Sequence, residues 1–245
     1  MAPPASSQMS PGEYAGSQAC QPCHAAIYDA WRKTGMGRML RGYVPENVIG
    51  DFRANNQFSD ETGAVVARMW IKRDKHYLAV RNTAGDWRTY PVDYTIGSKW
   101  QQAYATRLAS GDIHVFPVQY SAIKGQWINY WKVIDPPGSP RSVVTNFNSL
   151  TSYQVNCAPC HTSQLRLTKT GSSAGQDYAF RETGINCEMC HGPAQAHLAA
   201  MTSGAASYKS ALPVHFSRIG AREYVAICGQ CHAQSALHQR DRKAR

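Results

Sequence analysis

The sequence predicts an α+β fold: short helices and irregular chain around four copies of one cysteine motif, with a small antiparallel β-sheet inserted after the first copy. Three observations predict it. All eight cysteines fall in Cys-x-x-Cys pairs, and each pair is followed directly by His. The pairs are unevenly placed, one near residue 20 and three between residues 157 and 232. Much of the chain between the first and second pairs alternates with a period of two, the signature of half-buried strands. The 245 residues suffice for one large domain or two small ones. With 43% hydrophobic and 17% charged residues, a mainly disordered chain and a coiled coil are both excluded. No apolar run reaches the roughly eighteen residues of a membrane span.

Residues 1–13 read as a flexible leader, and residues 14–50 as the first motif segment. Within it, Ala19 to Met39 is predicted mainly helical, with Ile27, Tyr28 and Trp31 on one side and Gly35 and Gly37 loosening its end. Residues 51–141 are the expected β insertion. Val65, Ala67, Met69 and Ile71 alternate with Val66, Arg68, Trp70 and Lys72, and His76, Leu78 and Val80 keep the same period. Asn82 to Asp86 is a turn that leads into a strand through Trp87, Thr89 and Pro91. Ile113 to Val118 and Trp127 to Ile134 are two more strands, separated at Lys124-Gly125, so four to six strands are expected in one sheet. Asp135 to Pro140 (DPPGSP) ends it as a stiff turn. Residues 142–236 return to short helices around motifs two to four, with a loop at Gly171 to Gly175 and helices over Pro193 to Met201 and Arg218 to Cys231. Residues 237–245 form a basic tail, read first as a solvated end and alternatively as a docking segment for an acidic redox partner.

The motifs read Cys20-Gln-Pro-Cys23-His24, Cys157-Ala-Pro-Cys160-His161, Cys187-Glu-Met-Cys190-His191 and Cys228-Gly-Gln-Cys231-His232. This is the attachment motif of c-type haem. Cysteines three apart lie on one side of a helical turn, so both sulfurs reach the vinyl edge of a single porphyrin and form thioethers. The following imidazole then ligates the iron, which makes His24, His161, His191 and His232 the expected proximal ligands. Zinc ribbons need no His after every pair, a redox pair normally occurs once, and structural disulfides lack this repeated spacing. Four covalently attached haem c groups are therefore expected. Their propionates change the meaning of the formal charge of +10. The loaded protein would carry about +6 oxidised and about +2 reduced, so a nucleic-acid partner loses its support. Thioether attachment takes place outside the cytoplasm, so a periplasmic or extracellular protein is expected. The opening MAPPASSQMSPGEY has neither an apolar h-region nor a basic n-region, so a signal peptide is expected to be absent from this numbering.

Three stretches carry a family resemblance: Gly16 to His24 with Trp31 and Thr34 to Met39; Gly184 to Pro193 with His197; and Cys228 to His232. On them the chain resembles the tetrahaem cytochrome c family that includes the cytochrome partner of hydroxylamine oxidoreductase. It is also similar to related multihaem cytochromes fused to helical repeats. More loosely, Tyr94 to Gly97 and Gln101 to Tyr104 resemble the extra sheet of the repeat-fused relatives. The resemblance implies four closely stacked haems, and that His197 serves a haem other than that of its neighbouring motif. The hydroxylamine-oxidoreductase partner has His at the position of Met36, whereas other relatives have Met. A His/Met iron sits at higher potential than a bis-His iron, so haems of unequal potential are implied.

The candidate sixth ligands are Met36, His76, His114, His197, His215 and His238. Met36 lies between glycines that permit close approach, and its alternative is a core methionine against a ring. His215 lies in an apolar, proline-stiffened loop that suits a ligand or a buried hydrogen-bonded histidine equally. His76 and His114 share strand faces with apolar residues, where a satisfied sheet histidine is the default. His197 and His238 each follow a motif His by six residues.

The pattern points first to a non-catalytic electron carrier between a redox donor and acceptor, with no membrane span of its own. Two alternatives stay open. One is an enzyme with a five-coordinate haem acting on small nitrogen oxides or hydroxylamine. The other is self-assembly into an oligomer or an extracellular cytochrome filament.

Overall fold

The computed structural model describes residues 13–82, 84–131, 147–148, 150–172, 175–204 and 214–232. The chain divides into two units. One takes the described residues up to Ala30 and from Ile185 onward; the other runs Trp31–Gly184. The expected leader apart from Glu13, the turn at 135–140, and the basic tail with His238 lie outside the described residues.

The Trp31–Gly184 unit is built on sheets. β1 (Leu40–Gly42), β6 (Tyr94–Ile96), β7 (Gln101–Arg107), β8 (Ile113–Ser121) and β9 (Gln126–Asn129) form a five-stranded sheet in the order β1-β6-β7-β8-β9. β2 (Gln57–Ser59), β3 (Val65–Lys72), β4 (Lys75–Arg81) and β5 (Trp87–Pro91) form a four-stranded meander. Both are antiparallel throughout. The sequence leads to one sheet of four to six strands, whereas these nine strands make two. The short strands β1, β2 and β6 have too few residues to show alternation.

Alternation along the strands makes two apolar cores. Val66, Met69, Leu78, Val80, Tyr104, Phe116, Val118 and Trp127, drawn from both sheets, pack with Phe52 and Val92. The other face of the five-stranded sheet, with Ile96, Ala103, Ala105, Ile113 and Val115, is covered by Tyr153 of α2 (Tyr153–Asn156) and Ala158 of α3 (Ala158–His161). Two ribbons follow that the sequence pattern does not show: β10 (Thr162–Ser163) with β13 (Glu182–Thr183), and β11 (Arg166–Ser172) with β12 (Gly175–Ala179). Of the loop expected at Gly171 to Gly175, Gly171 lies in β11 and Gly175 begins β12, while residues 173–174 lie outside the described residues.

The other unit is helical. A 3-10 turn at Ser17–Cys20 precedes α1 (Ala25–Trp31), and α4 (Glu188–His191), α5 (Gln195–Thr202) and α6 (Ala221–His232) follow Ile185. The last two match the predicted helices to within a few residues at each end. The first does not: instead of running from Ala19 to Met39, α1 stops at Trp31. There the Thr34 hydroxyl donates to the Trp31 carbonyl and accepts the Gly37 N–H, replacing the helical ladder with a local turn. Neither α1 nor α6 buries a residue, although α1 reads AAIYDAW.

Gly184 closes the sheet-built unit at φ +73°, and a Cβ there would lie 2.8 and 3.0 Å from the carbonyl oxygens of Gly37 and Met36. Gly184→Ala is therefore expected to cost at least about 2 kcal/mol, read as a lower urea midpoint. Asp51, just before core Phe52, accepts the N–H groups of Arg53, Ala54 and Asn55, which hold its carboxyl down to about 2. A folded value below the unfolded one gives stability present above about pH 4 and lost as the pH falls toward 2. Asp51→Asn is expected to remove that part of the acid limb of a pH–stability profile.

Candidate haem-attachment sites

The four motifs share one backbone device. The His24 N–H donates to the Cys20 carbonyl at 2.9 Å, that of His161 to Cys157 at 3.0 Å, and that of His191 to Cys187 at 3.0 Å. The fourth motif is the last turn of α6. Each hydrogen bond closes a turn that carries both thiols and the imidazole together, as a single porphyrin requires. None of the eight cysteines is in a disulfide, and among the described residues no three His, Cys, Asp or Glu side chains gather as a metal site.

The second motif is the most enclosed. Burial pushes the Cys157 thiol up to about 11 and holds the His161 imidazole below its ordinary value. The His161 Nδ1 is buried without a hydrogen-bond partner among the described residues. Ala158 and Tyr153 beside it are fully buried. In the helical unit the surroundings are the reverse. Ile27 is 68% exposed on α1, and Tyr224 and Val225 are 52% and 66% exposed on α6. Helices of this length need a packed face to be stable, and apolar side chains beside two thiols and an imidazole fit a porphyrin plane. The donor sets therefore fit haem c.

Three of the motifs meet within the helical unit. Glu188, inside the third motif, is 3% exposed. Its carboxylate accepts the N–H groups of Ala15 and Gly16, which lead into the first motif, and that of Ala194 after the third, each at 2.8 Å. Gln230, inside the fourth motif, donates to the Met189 carbonyl inside the third at 3.1 Å. Burial first and Cys228 second raise the Cys190 thiol. The sequence reading passed over Glu188 and Gln230, because the two x positions of the motif carry no signal of their own.

The sixth-ligand candidates fall in both units. In the helical unit, His215 has a buried Nε2 with no partner among the described residues. Its neighbours rest on the third motif: the Val214 N–H donates to the His191 carbonyl, and the Phe216 ring meets the His191 ring edge-on at 5.1 Å. His197 lies half-buried on α5. In the sheet-built unit, Met36 is 49% exposed in the turn after α1. His76 places Nδ1 2.8 Å from the Tyr43 hydroxyl and its ring against Phe52. His114 places Nδ1 2.8 Å from the Thr151 hydroxyl and stacks on Phe147. By strand parity His114 shares its face with Phe116 and Val118, the face opposite Ile113 and Val115, which pack toward α2 and α3.

The double variant Cys157→Ser/Cys160→Ser is expected to lose one covalent haem by intact mass. Its β-sheet circular dichroism is expected to stay, because the strands are held by their ladders and by the Val66, Leu78, Phe116 and Val118 cluster, which includes neither cysteine.

The family described as cytochrome c554 and c-prime matches residues 135–192, which span the second and third motifs. No curated protein matches the chain. The outer cell wall cytochrome OcwA is similar in structure, with a TM-score of 0.54 at 21% identity over 90% of this chain. An undecahaem cytochrome from the S-layer of Carboxydothermus ferrireducens aligns with a TM-score of 0.49 at 19% identity over 94% of this chain. The chain spans 37% of the length of the first and 26% of the second. The likeness to OcwA is one of fold. Together with the attachment turns and the family match, it supports a multihaem c-type cytochrome with covalently bound haem c.

Proposed function

We propose that the chain is an electron-transfer cytochrome carrying four haem c groups and relaying electrons between redox partners outside the cytoplasm. The observation that carries this reading is the direct joining of three attachment sites by the Glu188 and Gln230 hydrogen bonds. Cofactors tied to touching turns are close enough for electrons to pass between them. When bound, haem c supplies a reversible one-electron couple at iron. The protein's part is to hold each ring by two cysteines and one histidine, to exclude water and to set the potentials. Cys20 and Cys23, Cys157 and Cys160, Cys187 and Cys190, and Cys228 and Cys231 would hold the four rings, with His24, His161, His191 and His232 as proximal ligands.

His215 has the strongest local case as a sixth ligand, since a buried imidazole nitrogen without a partner is costly and ligation would satisfy it. His197 follows on the family resemblance. His76 and His114 are assigned to the sheet core, each with Nδ1 beside a hydroxyl and its ring against an aromatic neighbour. An exported location is supported by the thioether chemistry. No helix among the described residues is long and apolar enough to cross a membrane.

The test is intact mass and a haemochrome assay on the matured protein, followed by electron paramagnetic resonance of the fully ferric form. Four haems per chain with low-spin signals are expected. A high-spin signal near one haem per chain would favour a substrate-binding iron instead, and fewer than four haems would overturn the reading. In His215→Ala one low-spin signal is expected to become high-spin.

A further inference from the structure

We infer that Glu188 is an anionic control on the redox equilibrium of the third attachment site, lowering the potential of the iron held there. This rests on the proposed electron-transfer function. Glu188 lies between the two thiols of that site and one turn before His191, and its own carbonyl accepts the Gly192 N–H at 3.0 Å. Its carboxylate is taken out of water, at 3% exposure, and held by three backbone N–H groups at 2.8 Å. Those donors solvate the charge without cancelling it, because peptide N–H groups are dipoles. Among the described residues no Lys, Arg or His forms an ion pair with it. The charge is felt nearby: burial first and Glu188 second hold the Tyr14 phenol above its ordinary value.

The physical argument is one of sign. Reduction of ferric to ferrous iron adds one negative charge to the site. A fixed anion in a region of low effective dielectric opposes that addition, and the opposition weakens with distance. The iron attached through the flanking cysteines therefore feels it most, and the other three less. A buried carboxylate is an expensive way to tie Ala15, Gly16 and Ala194 together if tying them is its whole role. A structural tie and a tuning charge are separable, since the first needs acceptor atoms and the second needs the charge.

The experiment is a spectroelectrochemical titration of the haem-loaded wild type, Glu188→Gln and Glu188→Asp, with haem counted in each. Glu188→Gln keeps an acceptor and removes the charge, and one of the four one-electron waves is expected to move to higher potential. Glu188→Asp keeps the charge but draws it back by one methylene, and the same wave is expected to move up by less. Waves that coincide with wild type in the Gln variant overturn the inference, as does an Asp variant that moves as far as the Gln variant. If Glu188→Gln loads fewer haems, Glu188→Asp carries the test alone: a single wave displaced upward supports it and an unmoved set overturns it. A wild-type chain without four haems overturns the functional reading instead, so the two failures are distinct.

Discussion

One buried carboxylate organises the helical unit. Glu188 gathers three backbone N–H groups from two separate stretches of chain, and those stretches lead into one attachment turn and out of another. Charge-assisted hydrogen bonds of this kind are about twice as strong as neutral ones. They matter more than usual here because α1 and α6 bury no residue of their own. The unit is tied by polar contacts between backbone segments, while Ile27, Tyr224 and Val225 stay exposed on its helices. In that arrangement the porphyrin faces would stand in for a hydrophobic core.

The sheet-built unit solves the same problem in the ordinary way. Two apolar clusters lie on the two faces of the five-stranded sheet, and strand parity decides which residue joins which. One cluster is buried between β-strands. The other is where the second attachment turn docks, through Tyr153 and Ala158. This motif is thus seated on a protein core, and burial raises its first thiol and lowers its imidazole. One motif thus occurs in two environments, and burial and hydrogen bonding to the ligands are among the few means a protein has to set a haem potential.

The attachment motifs were legible in the sequence, since covalent haem attachment demands specific residue types at fixed spacing. Four cysteine pairs each followed by His needed no tertiary information. Strands with long alternating runs, such as Val65–Lys72, were legible for the same reason, as were the helices near Gln195 and Ala221. The extent of α1 was misread because the Thr34 hydroxyl competes for the Trp31 carbonyl, a local contact that helical periodicity does not register. The short strands β1 and β2 were missed because three residues hold no period, and β6 was legible only through the family resemblance.

The sequence by itself pointed to the cofactor class, because the Cys-x-x-Cys-His spacing is complete within five residues. It also indicated a β insertion between the first and second motifs. The tertiary structure decided what depends on residues far apart in the chain. It brings Glu188 to Ala15 and Gly16 and Gln230 to Met189, and it sets His76 and His114 beside hydroxyl partners while leaving the Nε2 of His215 without one among the described residues. The reason is physical. A covalent motif is read within five residues, whereas a histidine's role depends on which hydroxyl, ring or iron the fold carries to its nitrogen atoms.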